Sequence, residues 1–517
     1  MDSFVTRHAS EVKGTLSGFD RVRFRGTLRW LANLNGMGVW LSHTSVLLKD
    51  FKDYAMGLTN RIKEATQELA ENAGRPVRYL ASSSLRKENV ARDIAERDGI
   101  TEGLVCVLTA VEPCHTFTVG PNRAAKKLEL RSHPGKCLHQ YFYLIDPQLG
   151  WLNVRLQTWF PFTVHIVING REWLSRELCR KGIDFERREN CFTDLGDVSR
   201  AQKAMDRQLR TAWPRLLDRL VRQVHPSHRT LFGKDRLHHY WSADETEWAT
   251  DVMFRSPREL SALYPRLVQY AMTTFGSGEV LRFLGKRGSV QQFRKAEIIS
   301  HLGTRPEGIR VKHALDRNSV KMYDKQESVL RIETTINNTR QMKVFRTAEN
   351  DPEGLESWQK LRKGVADLHR RAEISQKSNE RYLEALSAVD AEPTLAETAA
   401  EVCRRTRWKK RSVRALNPLA DDDARLLEAV SRGEFVLLGF RNRDLRGLLL
   451  GKPASADVRR RQTAKVTRMI RMLRAHGLVH KIPKTHRYTV SPKGRETIAA
   501  LLAARSANTQ ELMKIAA

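Results

Sequence analysis

Between Thr116 and Ile168 the hydrophobic pattern takes a period of two, with strand-like runs near Thr116–Val119, Leu138–Ile145, Leu152–Gln157 and Val164–Ile168. That period puts successive side chains on opposite faces of an extended backbone, so the segment is constrained to an antiparallel sheet. The turn Asp146-Pro147-Gln148-Leu149-Gly150 joins the middle runs. Upstream, the strand-like pieces Arg21–Phe24, Val77–Leu80 and Leu104–Val111 alternate with helical ones, Val46–Ala70 and Leu85–Arg97, which reads as an α/β layer. Residues 198–300 read as mostly helical and Gly308–Arg346 as a meander of short strands. A long helix is expected over Leu355–Leu386, with Trp358, Leu361, Val365, Leu368 and Ala372 on one face. A chain of 517 residues exceeds one hydrophobic core. The expected fold class is α+β: an α/β plus antiparallel sheet domain over 1–195, a helical region with a β-meander (308–346) and long helix over 196–388, a basic linker over 389–420, and a C-terminal domain over 421–517.

The 90 Lys and Arg residues against 59 Asp and Glu leave a formal charge of +31, which favours polyanionic partners. A membrane-surface protein would need an amphipathic anchor or a lipidation signal, and neither is present. No stretch approaches the roughly 18 apolar residues of a membrane span, and the start lacks the apolar run of a leader, so a cytoplasmic location is expected. The cysteines (Cys106, Cys114, Cys137, Cys179, Cys191, Cys403) show no CxxC spacing and read as reduced thiols.

The linker carries Arg404, Arg405, Arg407, Lys409, Lys410, Arg411 and Arg414 with no intervening acid, and such a block is expected to stay extended. After helices near Asp423–Ser431 and Asp444–Leu450, the segment Val458–His476 sets Val466, Ile470 and Leu473 on one face and Arg461, Lys465 and Arg468 on the opposite one, and Gly477 stops it. Leu478–Ile482 and Arg487–Val490 read as a hairpin with a basic tip, where Lys484, His486 and Arg487 are candidate nucleic-acid contacts; Ser491-Pro492-Lys493-Gly494 opens a last helix. This order resembles the winged-helix modules of MarR-type regulators over roughly Asp421–Ala504. The resemblance implies a recognition helix in a DNA major groove and a wing on a flanking phosphate or minor groove.

The whole chain also resembles a recurring bacterial family of similar length. The segments that carry the likeness are Phe19-Asp20-Arg21-Val22-Arg23-Phe24-Arg25-Gly26, Gln157-Thr158-Trp159-Phe160-Pro161-Phe162-Thr163, Asn169-Gly170-Arg171-Glu172-Trp173 and Lys321-Met322-Tyr323-Asp324-Lys325. Residues 319–337 are similar to a stretch of the rolling-circle replication initiators of small plasmids. Pairing Lys321–Lys325 with Val329–Glu333 sets Tyr323 opposite Arg331 and Lys321 opposite Glu333 on one face, with Val320, Met322, Leu330 and Ile332 on the other. The first face is expected to be basic and open to solvent or ligand. An even connecting loop would add Arg310 and Lys312 to it; an odd one would add His313. Such a face has the parts for nucleophilic attack on a phosphodiester: Tyr323 as nucleophile, Glu333 holding Mg or Mn, and Arg331 or Lys321 stabilising phosphate charge. The competing reading is a structural cross-strand pairing.

Other constellations are weaker. Cys114-His115 with Cys137 and His139 has zinc-ligand residue types at spacings that suit ordinary thiols and sheet histidines better. His238, His239, Asp244, Glu245, Glu247 and Asp251 could hold a metal, but Trp241 and Trp248 suggest a packed helix with an acidic side. Trp151, Trp159, Phe160 and Phe162 near Arg155 suit a core better than a base-stacking platform, and Gly276-Ser277-Gly278 and Gly285-Lys286-Arg287-Gly288 fit no phosphate loop. The sequence thus points to a nucleic-acid-binding protein, double-stranded DNA foremost, with a mobile element as a candidate setting. The alternatives are a DNA cleaving or joining enzyme built on Tyr323 and Glu333, and an RNA-binding protein.

Overall fold

The structure is a computed structural model. It describes every residue except 1, 82–84, 226–227, 229–230, 232–236, 286–296, 306–307, 341, 349, 352, 391–394, 410, 484 and 509–517. The chain is α+β and forms two compact units. One comprises Met1–Val268, Phe283–Lys286 and Ile299–Glu384; the other Gln269–Arg282, Arg287–Ile298 and Ala385–Ala517.

The first unit is organised by one sheet of eleven strands. In chain order its extended segments are β1 (Val12–Leu28), β2 (Val77–Tyr79), β3 (Gly103–Asn122), β4 (Lys127–Asp146), β5 (Gly150–Gln157), β6 (Val164–Asn169), the separate hairpin β7 (Phe185–Arg188) and β8 (Cys191–Leu195), β9 (His239–Phe254), β10 (Ile298–Arg305), β11 (Gly308–Leu315), β12 (Asn318–Lys325) and β13 (Val329–Ile336). The sheet runs β10-β11-β12-β13-β9-β1-β6-β5-β4-β3-β2. β1 is the seam, antiparallel to β6 on one side and to β9 on the other. The expected boundary at residue 195 therefore does not hold, because strands from both sides of it share one sheet.

Alternation along β1 sends Val22 and Phe24 into a core with Val154, Ile166, Trp213 and Trp241, while Arg21, Arg23 and Arg25 take the opposite face. The turn after β4 forms as expected, its Asp146 carboxylate accepting from the backbone N–H groups of Gln148 and Leu149. Two expected helices are corrected. His239–Phe254 is a 16-residue strand, and the long helix begins only at Leu368 and ends at Leu386, preceded by β14 (Lys343–Arg346) paired with β15 (Ser357–Lys360). Trp358 lies in β15 and is exposed rather than on a buried helix face.

In the second unit a helix (Leu395–Val402) and a hairpin of β16 (Thr406–Trp408) and β17 (Arg411–Val413) precede four helices, Asp421–Val430, Gly433–Leu438, Asn442–Leu450 and Ala456–Ala475. A hairpin of β18 (Val479–Lys481) and β19 (Tyr488–Val490) and a helix, Pro492–Ser506, follow. The expected linker is not an extended arm: Val402, Val413 and Leu416 are buried in the same core as Val466, Ile470 and Leu473. Arg414, one of its cations, is held by both oxygens of the buried Asp423 at 2.6 and 2.7 Å. A few apolar residues and one ion pair thus fix a segment whose charge alone suggested extension.

Gly477 sits at φ +72°, the left-handed conformation that ends the Ala456–Ala475 helix. A Cβ on Gly494 would come within 2.1 Å of the Leu478 carbonyl oxygen, so the Ser491-capped last helix can start there only on glycine.

Candidate functional site

In the first unit, the observed register sets Lys321 opposite Glu333 and Tyr323 opposite Arg331. The turn before β12 is even, so Arg310 faces Tyr323 and Lys312 faces Lys321. His313 lies on the other side, buried, with its ring nitrogens on Ser300 and Tyr382. β9 then lays Asp251 beside Arg331 and Glu247 beside Thr335. β1 adds one more carboxylate through an irregularity. Phe19 pairs with Trp248 and Arg21 with Glu247, leaving Asp20 as an extra residue. Such a bulge re-aims a side chain, and the Asp20 carboxylate reaches Arg331 Nη1 at 2.8 Å.

The result is an ion-pair network rather than an open basic face. Arg331, 1% exposed, donates from Nε and Nη2 to Asp251, from Nη1 to Asp20 and from Nη2 to the Asn190 carbonyl. Its guanidinium is spent on protein partners, so the expected role of Arg331 on a phosphate is corrected. Arg171, fully buried in the first turn of the helix Gly170–Arg180, lies 3.0 Å from Asp251. Asn169 positions it by capping that helix, accepting from the backbone N–H groups of Arg171 and Glu172. Lys321 bonds Glu333 at 2.6 Å and Glu247 at 3.3 Å, and Arg21 spans Glu245 and Glu247.

These contacts set the ionisation of the cluster. Burial pushes the Asp20 carboxyl up, only partly offset by Arg331. Burial acts on Asp251 in the same sense but is outweighed by Arg331 and Arg171, which hold it below the usual range. For Lys321, burial favours the neutral amine, and Glu333, with Tyr323 and Glu247, overrides it and raises the pKa. Asp20, Glu247 and Glu333 each bring a carboxylate oxygen within 4.8 Å of the others, a spacing suited to a hard cation.

Tyr323 borders this cluster half-buried, its hydroxyl making no hydrogen bond among the described residues. Burial, then Glu333, pushes the phenol up to about 12. It is therefore protonated near neutrality and needs a base in order to act as a nucleophile.

Of the six residues read as a helical metal set, Glu247 and Asp251 reach this cluster by strand periodicity, and Glu245, on the same face, joins it through Arg21. Glu245 and Asp244 pair with Arg21 and Arg25, and His239 stacks on His228. Phe160 and Phe162 are buried and Trp159 bonds the Phe117 carbonyl, so the aromatic segment is core. Sequence reasoning misses Asp20 and Arg171 as site residues, because nothing in a single sequence marks a bulge or a partner far along the chain.

In the second unit, the Ala456–Ala475 helix buries Val466, Ile470 and Leu473 as expected. Arg461 and Arg468 are exposed, whereas Lys465 lies 3.8 Å from Asp422. Two hollows line the flank of this helix that faces the Asn442–Leu450 helix and both hairpins, and they share Thr467 and Arg471. The first, about 560 Å³, holds six Lys and Arg side chains together with Trp408, Tyr488 and His486; the second adds four more arginines, Arg446, Arg459, Arg460 and Arg468. Among the described residues, no carboxylate lines either. Arg468 thus belongs to the concave surface, and Arg461 and Lys465 do not line it. The stripe that the sequence pattern marks with Arg461 and Lys465 thus lies beside the one that lines the hollows. His486 is exposed in the first hollow, Arg487 is tied to the Gly439 carbonyl at 3.2 Å, and Lys484 lies outside the described residues. Among the described residues, no helix is long and apolar enough to cross a membrane. Searches against protein-family models, curated proteins and solved structures found no match to this chain.

Proposed function

We propose that the chain is a nucleic-acid-binding protein, with double-stranded DNA as its main ligand, and that the second unit acts as a winged-helix module. The observation that supports this reading is the concave surface beside the Ala456–Ala475 helix, lined by arginines and, among the described residues, by no carboxylate. Crowding like charges costs free energy through mutual repulsion, and a polyanion relieves it. A helix fits the major groove of B-DNA, where arginine reads guanine edges bidentately, and neighbouring arginines suit phosphates.

The test is a salt titration of full-length protein on duplex DNA, single-stranded DNA and an RNA hairpin, by fluorescence anisotropy. Replacing Arg460, Arg468 and Arg471 by Ala should shallow the slope of log affinity against log salt by about 0.9 for each phosphate that is no longer neutralised. An unchanged slope rejects the surface, and a preference for the RNA hairpin turns the reading to RNA.

A second reading, DNA cleavage or joining with Mg or Mn, is favoured by Asp20, Glu247 and Glu333 converging beside the half-buried Tyr323. A divalent cation held by those carboxylates would neutralise part of the charge that raises the phenol pKa. Tyr323→Phe should abolish any covalent protein–DNA adduct while leaving affinity unchanged. Cleavage that survives this substitution rules the tyrosine out.

A further inference from the structure

We propose that Cys114, Cys137 and His139 form a binding site for a soft or borderline divalent cation, zinc by ligand type. Cys114 stands opposite Gly135 and Cys137 opposite Glu112 on the β3–β4 ladder, so the two thiols are diagonal neighbours on one face. Their sulfurs are 3.2 Å apart, and His139 Nδ1 lies 4.0 Å from Cys137 Sγ. All three donor atoms fall within 4.8 Å of one another. A tetrahedral zinc bonds sulfur at about 2.3 Å and nitrogen at about 2.1 Å, which puts its donors roughly 3.5–3.8 Å apart, between the two distances found here. His115, adjacent to Cys114, bonds Ser132 instead, and His133 bonds Thr118.

Burial, with the Cys114 thiol beside it, pushes the Cys137 thiol up, and the Arg155 guanidinium acts in the opposite sense; a bound dication supplies the positive charge that thiolates in such a place need. Binding releases two thiol protons, and two thiolates with a divalent cation make a neutral unit, which a half-buried position tolerates. His139 must present Nδ1 as a free lone pair, so its proton must sit on Nε2. In the structure Arg155 donates to that nitrogen at 3.0 Å, and Nδ1 meets the Cys137 carbonyl oxygen at 3.2 Å, a contact that metal binding must replace. Arg155 has a second partner in Glu112, at 3.5 Å, to which it turns when the imidazole changes tautomer. Three protein ligands leave the fourth position to water or an external ligand.

The experiment is titration of reduced, full-length protein with Co(II) under anaerobic conditions, followed by displacement with zinc. A sulfur-to-cobalt charge-transfer band is expected at one metal per chain. Cys114→Ser and Cys137→Ser should each lose the band, and Cys179→Ser should keep it. His139→Ala should weaken affinity by more than the roughly 10–100-fold that losing a ligand's hydrogen-bond partner costs. Independently of whether the variants fold, zinc should protect Cys114 and Cys137 of the wild-type protein from alkylation and leave the exposed Cys179 and Cys403 reactive. No band in the reduced wild type, a band that survives both serine variants, or equal alkylation with and without zinc overturns the site.

Discussion

The two units use arginine in opposite ways. In the first, Arg331 and Arg171 are buried among carboxylates, and every polar edge of Arg331 is answered by Asp20, Asp251 or the Asn190 carbonyl. In the second, the arginines beside the Ala456–Ala475 helix stand in a hollow with no acid in its lining. A net charge of +31 cannot distinguish these uses. The positions of the acids do: Arg331 is enclosed by carboxylates, whereas the arginines of the hollow meet none in its lining among the described residues.

The sharpest way to break this comparison is to remove one matched arginine. Arg331→Met leaves Asp251 and Asp20 buried without their main cation, which should cost about 3–5 kcal/mol. Hydrogen exchange read peptide by peptide should show weakened protection around β1, β9 and β13 and no change in the second unit. A cost below about 1 kcal/mol would mean that water replaces the guanidinium.

Acid should separate the units next. Burial holds His139 and His313 down at about 4 and His165 and His239 down at about 3, all in the first unit. Each takes up a proton more readily when unfolded, so the stability it contributes is complete above its ordinary pKa of 6.5. That stability is lost as pH falls from 6.5 toward 4, at about 1.4 kcal/mol per pH unit per fully shifted group. Exchange protection in the first unit should decline over this range while that of the Ala456–Ala475 helix holds.

The smallest effect on stability is expected from the unmatched set. Arg460, Arg468 and Arg471 changed together to Ala should leave unfolding within about 0.5 kcal/mol per site of wild type while weakening DNA binding. Arg461→Ala with Lys465→Ala, off the concave surface, should change the salt slope less than that triple. The reverse ranking would return the DNA-facing role to the stripe that the sequence pattern marks.

Local pattern carries much of this structure. The β12–β13 register follows from alternation, and the apolar stripe Val466, Ile470 and Leu473 from helical spacing. β9 reads as a helix because its acids at positions 247 and 251 fit a helical spacing as well as an extended one, and its tryptophans at 241 and 248, seven residues apart, fit a helix better; in the strand the extra residue Asp244 brings both tryptophans into one core. What settles its conformation is β1, some 226 residues away along the chain. The second unit's first helix and hairpin are hidden for a related reason: Val402, Val413 and Leu416 are too sparse among arginines to show a period, yet each is buried. Asp20 reaches the cluster through a bulge, and bulges carry no signature in composition.

The central place of β1 has a consequence for how the protein is made. β1 leaves the ribosome before the rest of its sheet, for β6, β9 and the Arg331 that answers Asp20 come later, the last 311 residues on. That edge is covered sooner, when β9 arrives some 226 residues on, which at about 5–20 residues per second is roughly 10–45 s. Until then a 17-residue strand has an open edge, the kind of surface on which nascent chains mispair. Arg21, Arg23 and Arg25, alternating along it, give that edge a charged face which repels a second copy of itself until β9 arrives.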